Sequence, residues 1–155
     1  MICRSILAVL VIFNLLAVKA IAMDMVRPNP DIAPAEVIAI QLNGLQNNND
    51  PEIDSGIRQT WAFAHPRNRA ATGPFARFAK MLKGRNYGIM LNHISNNIEP
   101  KNTGDGWKQY DVLMEIQNGN VMHFVWTIEK VTEGLYKDCW MTVAVSTPRL
   151  TGQGS

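Results

Sequence analysis

Cysteine is scarce in this 155-residue chain, which contains only Cys3 and Cys139. Small exported domains that cannot build a large core usually carry several disulfides, so two cysteines exclude a disulfide scaffold. The chain also contains no Asn-x-Ser/Thr sequon, and N-glycosylation is therefore not expected. Its length suits a single domain that buries its own core without cross-links.

A hydrophobic run long enough to span a bilayer is also missing. The apolar stretch at 6–18 is 13 residues long and is interrupted only by Asn14, whereas a transmembrane helix needs about 20 apolar residues. Arg4 precedes the stretch and Ala20-Ile21-Ala22 follows it, which is the order of a secretory signal peptide. We therefore predict that residues 1–22 are removed, that no membrane span remains, and that the protein is secreted, periplasmic or lumenal. A buried N-terminal helix and an uncleaved anchor are the alternatives.

Residues 23–155, which remain after the predicted signal peptide is removed, carry no excess of positive or negative charge. Of the 15 Lys and Arg residues, Arg4 and Lys19 leave with it, so 13 basic residues face 13 acidic ones. A nucleic-acid binder needs a basic surface that displaces counterions, so we expect no nucleic acid as a partner. The segment 55–98 holds seven basic residues and no acidic one. It is either an anion-binding patch or a set of solvated helix faces, and the neutral total favours the second interpretation.

Recognisable catalytic, metal and nucleotide motifs are missing as well. The three histidines, His65, His93 and His123, lack the i, i+4 spacing of a zinc-binding helix, and no cysteine pair supports them. Asp111 follows Tyr110 on a predicted strand and therefore points to the opposite face. If Tyr110 faces the interior, no carboxylate of that strand does. We expect no metal and no cofactor.

What the sequence does contain is apolar periodicity, which predicts helices first and strands afterwards. After an extended lead-in at 23–33, Ile38, Gln41, Leu42 and Leu45 share one helix face. Four helical segments are predicted, at about 34–46, 54–65, 66–72 and 75–82. Residues 87–91 are predicted as a strand or extended connection, and the polar segment 99–107 as a loop.

Strand periodicity begins at Tyr110 and continues almost to the end of the chain. Residues 110–116 and a return strand through Ile128 flank Asn118-Gly119, a strong hairpin signal. A third strand is predicted at 136–146, with Cys139, Met141, Val143 and Val145 on one face. Residues 148–155 are predicted to be a flexible tail. Helices followed by an antiparallel meander indicate an α+β fold, with one domain at 34–147.

Several sequence blocks carry a family resemblance. They are Phe63 to Pro74 (FAHPRNRAATGP), Phe78 to Met81 (FAKM), Tyr87 to His93 and Tyr136 to Thr142 (YKDCWMT). Together they resemble the family catalogued as domain of unknown function 4864, over about residues 34–147. The resemblance implies a nuclear transport factor 2-like cone, in which a curved sheet wraps helices around a cavity, and it implies no activity. Two positions depart from the family pattern: His65 replaces an expected serine, and Val143-Ala144 replace a more polar pair.

An apolar pocket inside such a cone is the candidate site. Its candidate lining residues are aromatic or imidazole side chains, namely Trp61, His65, Tyr87, His93, Tyr110, Trp126 and Trp140. We expect a non-catalytic module that binds a small apolar ligand or interacts with another protein. The alternative is a small cofactor-free enzyme, of isomerase, dehydratase or hydrolase type, acting on an apolar substrate.

A second set of residues is predicted to build a structural corner. Its members surround a Gly-Pro step between two helices and are Asn68, Arg69, Thr72, Gly73 and Pro74. An amide and a guanidinium in such a corner can satisfy carbonyls left open at helix ends. Cys139 is predicted to be a buried, unpaired thiol beside Trp140.

The outer face of the predicted sheet is neither fully apolar nor fully polar. Leu113, Val121, Val125 and Thr127 share it with Asp111, Glu115 and His123. Such mixed faces commonly meet a copy of themselves about a two-fold axis. We therefore expect a homodimer through this face.

Overall fold

The elements follow the predicted order of helices and then strands. The structure, a computed structural model, describes residues 25–153, so the predicted signal peptide at 1–22 lies outside the described residues. Four α-helices come first: α1 (Pro34–Gln46), α2 (Ser55–Ala62), α3 (Pro66–Thr72) and α4 (Phe75–Leu82). After a 3₁₀ helix (Gly88–Met90) come five strands: β1 (Ser95–Gly104), β2 (Trp107–Glu115), β3 (Asn120–Lys130), β4 (Trp140–Val145) and β5 (Arg149–Gln153). The predicted α+β class is confirmed.

The first two helices cross at unusually close range. Pro34 opens α1, where its missing N–H costs no hydrogen bond. Gly56 of α2 lies against α1, and a Cβ built on it would come within 1.9 Å of the carbonyl oxygen of Gly44. Only glycine fits this crossing. Within residues 25–153, no helix combines the length and apolar character needed to cross a membrane.

The five strands form one antiparallel sheet. Four of them follow in the order β1-β2-β3-β4, and β5 also pairs with β3. The long strand β3 pairs with β2 over residues 121–129. Along its other edge it pairs with β5 at 120–123 and with β4 at 126–130. The sheet is curved, and α1 lies across it in contact with both β1 and β4.

The core lies between α1 and the inner face of the sheet. Every second residue of β2 and β3 points into it, as predicted: Tyr110, Val112 and Met114 from β2, and Phe124, Trp126 and Ile128 from β3, are buried. Val37, Ile38, Leu42 and Leu45 of α1 cover these side chains. A smaller cluster of Val131, Cys139 and Met141 closes the end of the sheet near β4.

Four of the predicted local assignments are wrong. Residues 87–91 form a turn and the 3₁₀ helix rather than a strand. The predicted loop at 99–107 is mostly strand, since β1 pairs with β2 from Ser95 to Gly104. The third strand begins at Trp140 rather than 136. The predicted tail at 148–155 contains β5, which main-chain bonds hold to β3. The polar strands β1 and β5 bury little surface, so main-chain pairing alone defines them.

A β-bulge in β4 changes which side chains face the core. Trp126 pairs with Val145 and Ile128 pairs with Thr142, so β4 has one extra residue between these pairs. Thr142 and Val145 therefore share the inner face, although simple alternation predicts opposite faces. The predicted grouping of Met141, Val143 and Val145 on one face is wrong for this reason.

Candidate functional site

A cavity of about 220 Å³ lies between helices α3 and α4 and strand β4. Its apolar wall comes mainly from α4, the 3₁₀ helix and β4: Phe78, Met81, Leu82, Met90, Val143 and Val145. The exposed side chains of Ala71 on α3 and Ala144 on β4 mark the side that opens to solvent. An apolar cavity of about 150 Å³ is already large enough to hold benzene. This cavity therefore has room for a somewhat larger small molecule.

The floor of the cavity is polar, and each of its polar side chains makes at least one hydrogen bond. Trp126 Nε1 donates to Gln41 Oε1 and to Thr142 Oγ1, each at 3.1 Å. Thr142 Oγ1 donates to Gln41 Oε1 at 2.5 Å. Gln41 Nε2 donates to the carbonyl oxygen of Thr60 at 2.9 Å. Buried polar groups that are all partnered in this way rigidify a site and fix its shape.

This floor, made of Gln41, Thr60, Trp126 and Thr142, keeps hydrogen-bonding capacity for a further group. The Gln41 amide has two N–H donors, and the bond to Thr60 uses one of them. The Thr60 hydroxyl donates to the carbonyl oxygen of Gly56 at 2.9 Å, which leaves its acceptor lone pairs. The Thr142 hydroxyl accepts one bond and donates one, so one lone pair remains. A ligand hydroxyl or carbonyl matches this combination of donor and acceptors.

Formal charge is absent from the described lining of the cavity, which contains no Asp, Glu, His, Lys or Arg. The phenol of Tyr87 donates to the carbonyl oxygen of Val145 at 3.2 Å. Burying an unpaired charge is costly, so this lining disfavours an ionic ligand. It also offers no carboxylate or imidazole for proton transfer.

Of the seven predicted pocket residues, the structure brings Tyr87 and Trp126 together in this cavity. The other five lie elsewhere. Tyr110 is part of the core, and burial raises the pKa of its phenol. Trp140 is half-buried, with Lys108 Nζ 6.0 Å and Lys130 Nζ 5.4 Å from its ring centroid. Trp61 lines a separate surface groove.

The two remaining candidates, His65 and His93, are buried structural residues. His93 Nδ1 lies 2.8 Å from the carbonyl oxygen of Met90 and Nε2 lies 2.9 Å from the amide of Asn96. Nδ1 therefore carries the proton and donates, while Nε2 accepts. Burial lowers the pKa of His93, although the bond to Met90 opposes that shift. Burial and the nearby Arg67 lower the pKa of His65.

His65, where the family resemblance led us to expect a serine, has a structural role at the start of α3. It is the N-cap residue of α3, and its Nδ1 accepts from the main-chain N–H of Arg67 at 3.1 Å. A serine hydroxyl at this position would accept the same kind of bond. The imidazole thus performs the capping role expected of serine.

The predicted corner has the hydrogen bonds that its composition suggests. Arg69 Nη2 donates to the carbonyl oxygens of Trp61 and Ala62, at 3.0 and 2.9 Å, where α2 ends. Asn68 Nδ2 donates to the carbonyl oxygen of Thr142 at 3.1 Å and so ties α3 to β4. Thr72 Oγ1 donates back to the carbonyl oxygen of Asn68 at 2.9 Å.

Gly73 and Pro74 separate α3 from α4 at this corner. Gly73 has a φ of +84°, which favours glycine, and Pro74 follows it as the N-cap of α4. The corner therefore holds one wall of the cavity against β4.

Gln41, Thr60 and Thr142 are the floor residues that the sequence did not predict. Gln41 carried a signal, because it is the one polar side chain on an otherwise apolar helix face. Thr142 lies two residues from Trp140 on the same predicted face, but a single threonine in a strand gives no sign of a ligand site.

Comparison of the chain with models of known families, with curated proteins and with solved structures gave no match. Within residues 25–153, no group of three or more His, Cys, Asp and Glu side chains could hold a metal ion. The geometry of the cavity is therefore the basis for inferring its function.

Proposed function

We propose that this protein is a non-catalytic binding module for a small, uncharged and mainly apolar molecule. The observation that carries the proposal is the pairing of an apolar wall with the neutral polar floor at Gln41 and Thr142. The wall provides hydrophobic contact, and the floor offers one donor and several acceptors to a hydroxyl or carbonyl. Enzyme chemistry would need an acid or base at the ligand, and no observation on this cavity favours it.

We further propose that the domain is a nuclear transport factor 2-like cone related to the domain of unknown function 4864 family. The sequence blocks between Phe63 and Thr142 support this relationship. So do the α+β order and the position of the cavity between helices and sheet. Val143 and Ala144, which replace a more polar pair, both line the cavity and make it more apolar. Export after removal of residues 1–22 would place the ligand outside the cytoplasm.

Three naphthalene compounds test the binding proposal. Naphthalene, 2-naphthol and 2-naphthoate share one ring system and differ in hydrogen bonding and charge. At about 0.5 kcal/mol for each of about 11 non-hydrogen atoms, 2-naphthol should bind with a Kd near 0.1 mM. Isothermal titration calorimetry should show weaker binding of naphthalene, because it cannot bond to the floor. Failure of both neutral compounds to bind would contradict the proposal.

A pair of adjacent alanines locates the binding. Ala71 lines the mouth of the cavity, whereas its neighbour Ala70 is exposed on the same helix away from it. Ala71→Phe should weaken 2-naphthol binding about ten-fold or more, and Ala70→Phe should leave it unchanged. Equal effects of the two substitutions would place the compound elsewhere.

We also propose the homodimer through the outer sheet face. Leu113 is 37% exposed there, and Val125 is half-exposed beside it. His123 has a partner within the chain, since its Nε2 lies 2.6 Å from Asp111 Oδ1. Light scattering at micromolar concentration should report a dimer for the wild type and a monomer for Val125→Glu. A monomeric wild type would contradict this arrangement.

A further inference from the structure

A second depression, of about 550 Å³, shares no lining residue with the cavity. We call it the arginine groove. It is defined by Arg27, Arg58, Trp61, Arg69, Phe75 and Tyr136. These residues come from the lead-in, from helices α2 to α4 and from the loop before β4. Neither the proposed ligand site nor the proposed dimer face includes it.

One wall of the groove is held in place by a single glutamine. Gln59 of α2 accepts from the main-chain N–H of Val26 and donates to the carbonyl oxygen of Val26, both at 2.9 Å. Two bonds to one residue fix the lead-in against α2, and a buried Ile32 anchors its other end. Arg27, the next residue after Val26, is therefore fixed at the edge of the groove.

The floor of the groove is formed by Arg69 and the aromatic rings around it. The Arg69 guanidinium carbon lies 5.1 Å from the Trp61 ring centroid and 5.2 Å from that of Tyr136. Phe75 contacts Trp61 edge to face, with ring centroids 6.3 Å apart and an interplanar angle of 62°. Exposed Leu135, at 89% exposure, adds an apolar rim. A planar apolar ligand would find matching contact on this floor.

The charge of the groove is uncompensated. Three guanidinium groups line it, and its described lining contains no carboxylate. Within residues 25–153, Arg27 and Arg69 form no ion pair, and Arg69 Nε is buried without a hydrogen-bond partner. Arg58 Nη2 donates to the carbonyl oxygen of Ile53 at 2.8 Å and lies 3.4 Å from Glu52, whose side chain is 78% exposed. An exposed ion pair of this length does little to neutralise the guanidinium.

We infer that the arginine groove binds a small organic carboxylate with an aromatic body. Arg27 and Arg58 would hold the carboxylate, since guanidinium groups bond carboxylates with paired donors. The ring would lie over Trp61, Tyr136 and Phe75. The volume falls within the range of about 300–1,000 Å³ found for small-molecule sites. The uncharged cavity selects against the same ligand, so the two sites would separate neutral from anionic aromatic compounds.

Titration with 2-naphthoate tests this inference, with 2-naphthol as the uncharged control. The protein should bind 2-naphthoate, and binding should weaken as salt rises. Arg27→Gln combined with Arg58→Gln should weaken it at least about ten-fold. Both side chains are exposed, and an unchanged melting temperature would show that the variant is folded. Arg85→Gln removes one positive charge at an exposed site outside the groove and should have no effect.

Three results would overturn the inference. The first is that the wild type fails to bind 2-naphthoate. The second is that the double variant binds it as tightly as the wild type does. The third is that Arg85→Gln weakens 2-naphthoate binding as much as Arg58→Gln alone does. The last result would mean that net charge, rather than the groove, attracts the anion. Ala71→Phe should leave 2-naphthoate binding intact. This variant separates failure of the groove from failure of the cavity.

Discussion

Replacement of Arg69 by alanine should destabilise the fold, because its guanidinium completes the end of α2. The carbonyl oxygen of Ala62 depends on Arg69 Nη2 at 2.9 Å. Pro66, four residues later, has no N–H, and the N–H of His65 donates to the carbonyl oxygen of Thr142. The carbonyl oxygen of Trp61 keeps a second donor, the N–H of Ala64 at 3.1 Å. One carbonyl is therefore left without a protein partner.

The size of the effect follows from these contacts. An unsatisfied acceptor costs about 1–3 kcal/mol, and the half-buried corner favours the lower part of that range. Loss of the two ring contacts to Trp61 and Tyr136 adds about 0.5–1 kcal/mol. The total is about 1.5–3 kcal/mol. At about 4 °C per kcal/mol for a domain of this size, the melting temperature should fall by about 6–12 °C.

Thermal unfolding followed by circular dichroism measures this change, with Arg67→Ala as the matched control. Arg67 lies on the same helix, is exposed and pairs only with Glu129 at the surface. Its loss should cost at most about 1 kcal/mol. The reasoning would be refuted if Arg69→Ala melted at the wild-type temperature or no lower than Arg67→Ala.

Three further predictions concern the packing and the buried titratable groups. Gly56→Ala should destabilise the fold by more than about 2 kcal/mol in urea unfolding, because its Cβ would overlap α1, whereas Gly152→Ala, with open space around it, should not. Burial lowers the pKa of His93, so the neutral imidazole should contribute fully to the free energy of unfolding above about pH 6.5. That free energy should decline as the pH falls below about 6.5, and the decline should be shallower in His93→Gln. Burial also raises the pKa of the Cys139 thiol, so a thiol reagent should label it only as the protein unfolds, and rapid labelling of folded protein would contradict this.

The helices and the central hairpin could be predicted because their apolar residues follow one regular period. Four side chains of α1 at i, i+3, i+4 and i+7 are all buried. Asn118-Gly119 forms the turn between β2 and β3, and Gly119 has a φ of +79°. β1 and β5 escaped prediction for the opposite reason. Their side chains are nearly all exposed, so main-chain pairing with β2 and β3 defines them without any apolar period.

The candidate site was predictable only where it coincides with aromatic side chains on inward faces. Trp126 was found in this way. Its partner Thr142 was not, because a small hydroxyl side chain on an inward face carries no pocket signal of its own. His65, His93 and Tyr110 illustrate the converse error, since buried polar rings can serve capping and packing instead of a ligand.

The most direct test of the proposed cavity is the indole N–H resonance of Trp126 during titration with 2-naphthol. Trp126 Nε1 bonds to both Gln41 and Thr142 in the floor, so a ligand on that floor must perturb it. In nitrogen–proton correlation spectra, the Trp126 resonance should shift with saturation, and the Trp107 and Trp140 resonances should stay in place. A spectrum in which only Trp61 of the arginine groove shifts, or in which no indole resonance shifts, would contradict a ligand site in the cavity.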